Sequence, residues 1–199
     1  MRFNFSEVSS NVNEVERSFK LHCCSKLRDF VFKYEDLLGK EIWDVLDEEI
    51  QQDPGAFLSA INSYASRKGN LPIYLLIDEY DNFTNTILST YGTEYYQKAT
   101  HGEGFVRGFF NVIKAATTGT GSALQRMFIT GVSPVTMDDV TSGFNIGTNI
   151  TTDPWFNDLV GFSEAELREM LTYYKEQGVL MQTVDETIVM MKPNYDRSE

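Results

Sequence analysis

The run Pro72-Ile73-Tyr74-Leu75-Leu76-Ile77, followed at once by Asp78-Glu79-Tyr80-Asp81, constrains this chain more than any other segment. An apolar run of this length without polar alternation predicts a parallel strand buried on both faces. Parallel strands need crossover connections, ordinarily helices, and the sequence supplies them. A second apolar run, Arg126-Met127-Phe128-Ile129-Thr130, follows a helical pattern from Gly102 to Ala116 across the loop at 117–122. Arg2-Phe3-Asn4-Phe5 alternates like a strand, with nothing before it to form a turn, so the chain reads as beginning mid-fold. The expectation is an α/β fold with a mainly parallel sheet of Arg2–Phe5, Ile73–Asp78 and Arg126–Thr130, and helices on its faces.

Between these runs the spacing predicts further helices. From Ser9 to Leu38, Val12, Val15, Phe19, Cys23, Leu27, Phe30, Val31 and Tyr34 recur mostly at three and four residue steps. Gly39 breaks that pattern, and Glu41 to Glu49 predicts a short helix with Asp44 to Glu49 on its solvated side. Asp53-Pro54 announces a third helix, a carboxyl acceptor before a proline whose missing N–H costs nothing at the first position, running to about Arg67. Phe83 to Tyr96 reads as helical turns, 135–140 as a short helix and 145–150 as a brief strand. Ser163-Glu164-Ala165-Glu166 is a capping box for a helix that ends at Gln177 and closes on Gly178. Val184 to Met191 reads as a last strand or an extended tail. The expected division is a core at 1–160 and a C-terminal helical segment at 161–199.

Composition bounds the chemistry. With 17 Lys plus Arg against 29 Asp plus Glu, the formal charge is −12 over 199 residues. Nucleic-acid affinity rests on clustered cations that displace counterions, so neither nucleic acid nor an anionic membrane is an expected partner. No apolar run approaches the ~20 residues that span a bilayer, and Met1–Ser6 shows no signal core, so a cytoplasmic location is expected. Cys23 and Cys24 are adjacent, cannot bridge each other ordinarily, and suit a reducing compartment.

A strand that ends in paired acids places them where open α/β sheets bind ligands, outside the carboxyl ends of the strands. Asp78-Glu79 after Ile73–Ile77 is the Walker B pattern, in which the Asp helps to hold Mg2+ and the Glu polarises an attacking water. The pattern alone also fits a buried strand followed by a solvated acidic turn. A phosphate-binding loop, G-x-x-x-x-G-K-S/T, is not found: Gly39-Lys40 is the one Gly-Lys pair, with Tyr34 at the first glycine position and Glu41 after it. Gly119-Thr120-Gly121-Ser122 could cradle an anion, yet it precedes a strand and carries no lysine. A connecting loop is the better reading.

Ile77-Asp78-Glu79-Tyr80-Asp81, Phe128-Ile-Thr-Gly-Val-Ser-Pro-Val135, Ser142-Gly-Phe-Asn145 and Gly161-Phe-Ser-Glu-Ala-Glu-Leu167, in that order, resemble the bacterial AAA-ATPase-like family. The likeness covers about four fifths of the chain. It implies an incomplete P-loop NTPase (AAA-like) core, Mg2+ and ATP as ligands, Asp78 on the metal, Glu79 and Thr130 as catalytic and sensing residues, and Asp81 as a supporting, cofactor-side carboxylate. Ser133 is a weaker sensor candidate, and Arg107 could stabilise phosphate charge. Relatives usually carry a phosphate loop upstream and a PD-(D/E)XK nuclease-like domain downstream. Neither pattern is found in this sequence, so the expectation is a truncated member that binds ATP and Mg2+ weakly. Its alternative is a non-catalytic protein-interaction module that self-associates or docks a protein partner. His22, Cys23 and Cys24 diverge around a helix and suit packing better than metal ligation, His101 has no evident catalytic partner, and Trp155, Phe156 and Phe162 are expected to pin the last helix.

Overall fold

Three segments pair as a parallel sheet in the order β1 (Arg2–Asn4), β2 (Ile73–Asp78) and β3 (Leu124–Ile129). The structure is a computed structural model that describes residues 1–69, 71–132, 147–151, 153–156, 159 and 161–195, with side chains as far as Lys192. Arg2 stands opposite Leu76 and Asn4 opposite Asp78, while Leu76 and Ile77 face Phe128 and Ile129. Ile73 pairs with Leu124 but Tyr74 with Arg126, so Gln125 is an extra residue that shifts the register. The α/β class is therefore as expected, and the sheet is parallel throughout.

Helices α1 (Val15–Lys33), α3 (Pro54–Arg67) and α6 (Phe105–Thr118) build the core with the sheet; α2 (Glu35–Leu38), α4 (Asn82–Tyr91) and α5 (Thr93–Thr100) connect them. On α1, Val15, Phe19, Cys23, Leu27 and Val31 are buried at successive four-residue steps. Asp53 Oδ1 accepts the Ala56 amide at 2.6 Å and Pro54 opens α3, as its sequence predicts. Phe19 is the hub of an aromatic cluster, with ring centroids 5.2 Å from Phe5, 5.8 Å from Phe83, 5.2 Å from Phe105 and 5.5 Å from Phe109. Phe109 meets Phe3 edge-on at 5.6 Å, which fastens β1 to the helices. Each such buried ring contributes roughly 1.5–3 kcal/mol of transfer free energy.

The sheet departs from expectation in its second face. Phe3, Ile73, Leu75 and Ile77 are buried toward the helices, but Tyr74, Leu76 and Phe128 on the opposite face are 53, 44 and 41% exposed. Strand β2 is buried on one face only. Its apolar outward residues removed the alternation that would have signalled this.

Other elements also differ. Residues 9–14 precede α1 as turns, and the helix expected at 41–49 is replaced by two short 3-10 turns, Lys40–Asp44 and Ile50–Gln52. Asp47 Oδ1 accepts the Ile50 amide at 2.8 Å and Gln51 donates to the Leu46 carbonyl at 2.7 Å, local bonds that compete with helix continuation. Gly92, at φ +85°, separates α4 from α5.

The chain divides into two units, Met1–Gly147 and Thr148–Glu199. In the second, α7 (Glu164–Glu176) begins with the expected capping box, and α8 (Val184–Tyr195) occupies the segment read as strand or tail. A second box explains α8: Thr183 Oγ1 accepts the Glu186 amide while Glu186 accepts the Thr183 amide. Arg168 bonds Glu164 and Asp185, joining the two helices. Trp155 is 94% exposed and Phe156 and Phe162 are exposed too, so none of the three is buried as a pin would be. The helix expected at 135–140 and the motif at 142–145 lie outside the described residues, and 147–150 form no strand. No described helix is long and apolar enough to cross a membrane.

Candidate functional site

Parallel strands end at one edge, so β2 and β3 deliver Asp78 and Thr130 side by side. The Thr130 hydroxyl donates to Asp78 Oδ1 at 2.6 Å, and the Thr130 amide donates to the Ile77 carbonyl at 2.8 Å. Asp78 Oδ2 accepts from Arg2 Nη2 at 3.0 Å. Arg2 stands opposite Leu76, so it reaches Asp78 diagonally, on the face that alternation gives to Arg2, Leu76 and Asp78 alike. The Thr130 hydroxyl first, and then Arg2, hold the Asp78 carboxyl below its ordinary pKa range.

Glu79 follows at φ +54°, the one non-glycine residue among those described with a left-handed backbone. A side chain there costs about 1–2 kcal/mol, and such strain concentrates at functional sites. Asn82 Nδ2 donates to its Oε2 at 3.4 Å, a weak contact. Asp78 and Glu79 are both half-buried and open to solvent.

Asp81 is brought close in sequence but turned elsewhere. Fully buried, its carboxyl accepts the Val132 amide at 3.1 and 3.2 Å and Asn85 Nδ2 at 2.8 Å. Arg107 lies half-buried in the first turn of α6, and the guanidinium beside Asp78 is that of Arg2. Ser133 lies outside the described residues. Sequence reasoning missed Arg2 as a site residue; only the β1–β2 register reveals it.

Other candidates resolve into packing. His22 Nδ1 sits 3.5 Å from Glu7 while Cys23 and Cys24 are buried, and burial pushes the Cys24 thiol up to about 11. Ser122 and the Leu124 amide both bond Asn62 Oδ1 on α3, which ties the 119–122 loop to the amino edge of the sheet, opposite the acids.

Among the described residues no three His, Cys, Asp or Glu side chains cluster as a metal site. Mg2+ does not require such a cluster: it takes one or two carboxylates and completes its shell with waters and phosphate oxygens. Asp78 and the Thr130 hydroxyl bonded to it are oxygen donors of the type such a shell uses, and Glu79 is the next residue in the chain. No curated protein and no solved structure matches this chain. The family model described as a predicted AAA-ATPase matches residues 1–141, which span β1 to β3 and the Asp78–Thr130 edge, and the chain belongs to that family.

Proposed function

We propose that the Asp78–Thr130 edge is the Walker B side of an ATP-hydrolysing centre. Asp78 holds Mg2+, Glu79 orients and polarises the attacking water, and Thr130 reads the γ-phosphate while fixing Asp78 through its hydroxyl. Mg2+, when bound, offsets negative charge on the phosphate oxygens. Arg2 keeps Asp78 ionised and competes with a cation for Oδ2. The observation that carries this reading is the 2.6 Å bond between side chains at the ends of adjacent parallel strands.

These residues contain no G-x-x-x-x-G-K-S/T, so they offer a phosphate little besides a cation to offset two carboxylates. ATP with Mg2+ should bind weakly in calorimetry; micromolar affinity, about −8 kcal/mol, would reveal a phosphate site elsewhere in the chain. Mn2+, used as a paramagnetic probe, should broaden resonances around Asp78 and lose that effect in Asp78→Asn. Unchanged broadening in the variant would remove the metal role. In a form that also carries a phosphate loop, Glu79→Gln should preserve nucleotide binding and slow turnover at least about tenfold, or 1.4 kcal/mol on the barrier.

A second reading, a non-catalytic interaction module, is favoured by the exposed apolar face of Tyr74, Leu76 and Phe128. Turnover at its full rate in a loop-bearing Glu79→Gln variant would favour it.

A further inference from the structure

Asp81 occupies the residue before α4, where an aspartate ordinarily spends its side chain on the helix's own first amides. Here it makes no such cap. Its carboxyl reaches instead to the Val132 amide, 51 residues away, at 3.1 and 3.2 Å, and is steadied by Asn85 Nδ2 at 2.8 Å. A polar group buried this completely is costly unless its hydrogen bonds are made, so the direction of those bonds is strongly fixed. Gly131 lies between the two ends of this link. A Cβ there would run into the Tyr80 ring and Asp81 Oδ1, so only glycine lets the backbone pass so close. Thr130 is gripped in turn: its carbonyl accepts the Tyr80 amide at 3.1 Å and its hydroxyl donates to Asp78. Thr130 and Val132, on either side of Gly131, are thus both bonded to the end of β2 and the turn that follows it.

We propose that Asp81 is a positioning residue: by binding the Val132 amide across Gly131, it sets the Thr130 hydroxyl against Asp78 and makes the two strand ends move as one body. Asp81 then acts on the site through the β3 outlet and does not touch metal or nucleotide. The consequence for hydrolysis rests on the ATPase reading above; the positional coupling stands without it.

The test uses the isotope-labelled chain at neutral pH without nucleotide. Asp81→Ser retains a side chain that can cap α4 but cannot reach Val132, which separates helix capping from positioning. Thr130→Val supplies the reference for a broken Thr130–Asp78 bond. The expected result is that Asp81→Ser shifts the Asp78 carboxyl and Thr130 side-chain resonances toward their Thr130→Val positions and speeds Val132 amide exchange at least about tenfold, while Leu75 and Phe109 resonances stay in place. A folded Asp81→Ser chain with wild-type Asp78 and Thr130 resonances overturns the proposal. Should that variant not fold, Gly131→Ala, which keeps the carboxyl but displaces the outlet, is expected to give the same shifts, and their absence overturns it equally. Absence of Mn2+ broadening around Asp78 in the native chain, alongside intact coupling, would strike the ATPase reading alone.

Discussion

Glu79 stores strain where the strand hands its acids to the turn. Replacing it by glycine, which adopts φ +54° freely, should stabilise the chain by about 1 kcal/mol in urea unfolding, while Glu79→Ala should not. A gain in stability on deleting a carboxylate is what a residue kept for chemistry produces; a loss would mean that Glu79 serves the fold. His22 gives a pH signature. Burial, the largest influence, lowers its pKa below 6.5, against the opposing pull of Glu7. The folded state therefore binds fewer protons than the unfolded one, so stability is full above about pH 6.5 and falls as pH drops through the lowered value. Urea midpoints measured between pH 7 and 5 should fall in the native chain and fall less in His22→Phe. The strand end that carries Asp78 and Glu79 was legible because an apolar run closing on acids marks where a strand stops. The Arg2–Asp78 pair was not, since a diagonal cross-strand contact depends on register, and the sequence that offered Asp81 as a supporting carboxylate gave no sign of its bond to the Val132 amide.

At the scale of elements, α1 and α3 show how far local signals reach. The cap at Asp53 was readable, and Asp53→Ala should cost about 1 kcal/mol, seen as a lowered urea midpoint with unchanged slope. Phe19 packs against four rings from three other elements, so Phe19→Ala should cost about 3–5 kcal/mol and lower the thermal midpoint far more than the cap variant does. Equal losses from the two would mean that the cluster relaxes around the void. The 41–49 stretch carried helical spacing in Ile42, Val45 and Leu46, but Asp47 and Gln51 bond nearby backbone and win locally. In α8 the error ran the other way: Val184 to Met191 was read as a strand or an extended tail, and the Thr183–Glu186 box starts a helix there. Side chains that bond the backbone decided both cases.

For the molecule as a whole, the uncovered sheet face is the feature that sequence could not supply. A run apolar at every position says that both sides avoid water, but not what covers each. Tyr74, Leu76 and Phe128 should drive concentration-dependent association in sedimentation velocity, and Leu76→Ser with Phe128→Ser should reduce it without lowering stability; equal association by native and variant chains would place the contact elsewhere. The parallel topology was legible from strand–helix order, whereas the pairing of β1 with β2 comes from the structure alone. That pairing also dictates when the candidate site can exist during folding. Arg2 and Asp78 are 76 positions apart and Thr130 and Asp78 are 52 apart, so each contact closes a long loop, and chains rich in such contacts fold slowly. Strand β1 has three residues and, among the described strands, pairs with β2 alone; Phe3 anchors it in the core, but Arg2 beside it is two-thirds exposed and the more easily released. The Arg2 bond to Asp78 Oδ2 is therefore expected to be the last part of the candidate site to close and the first to open.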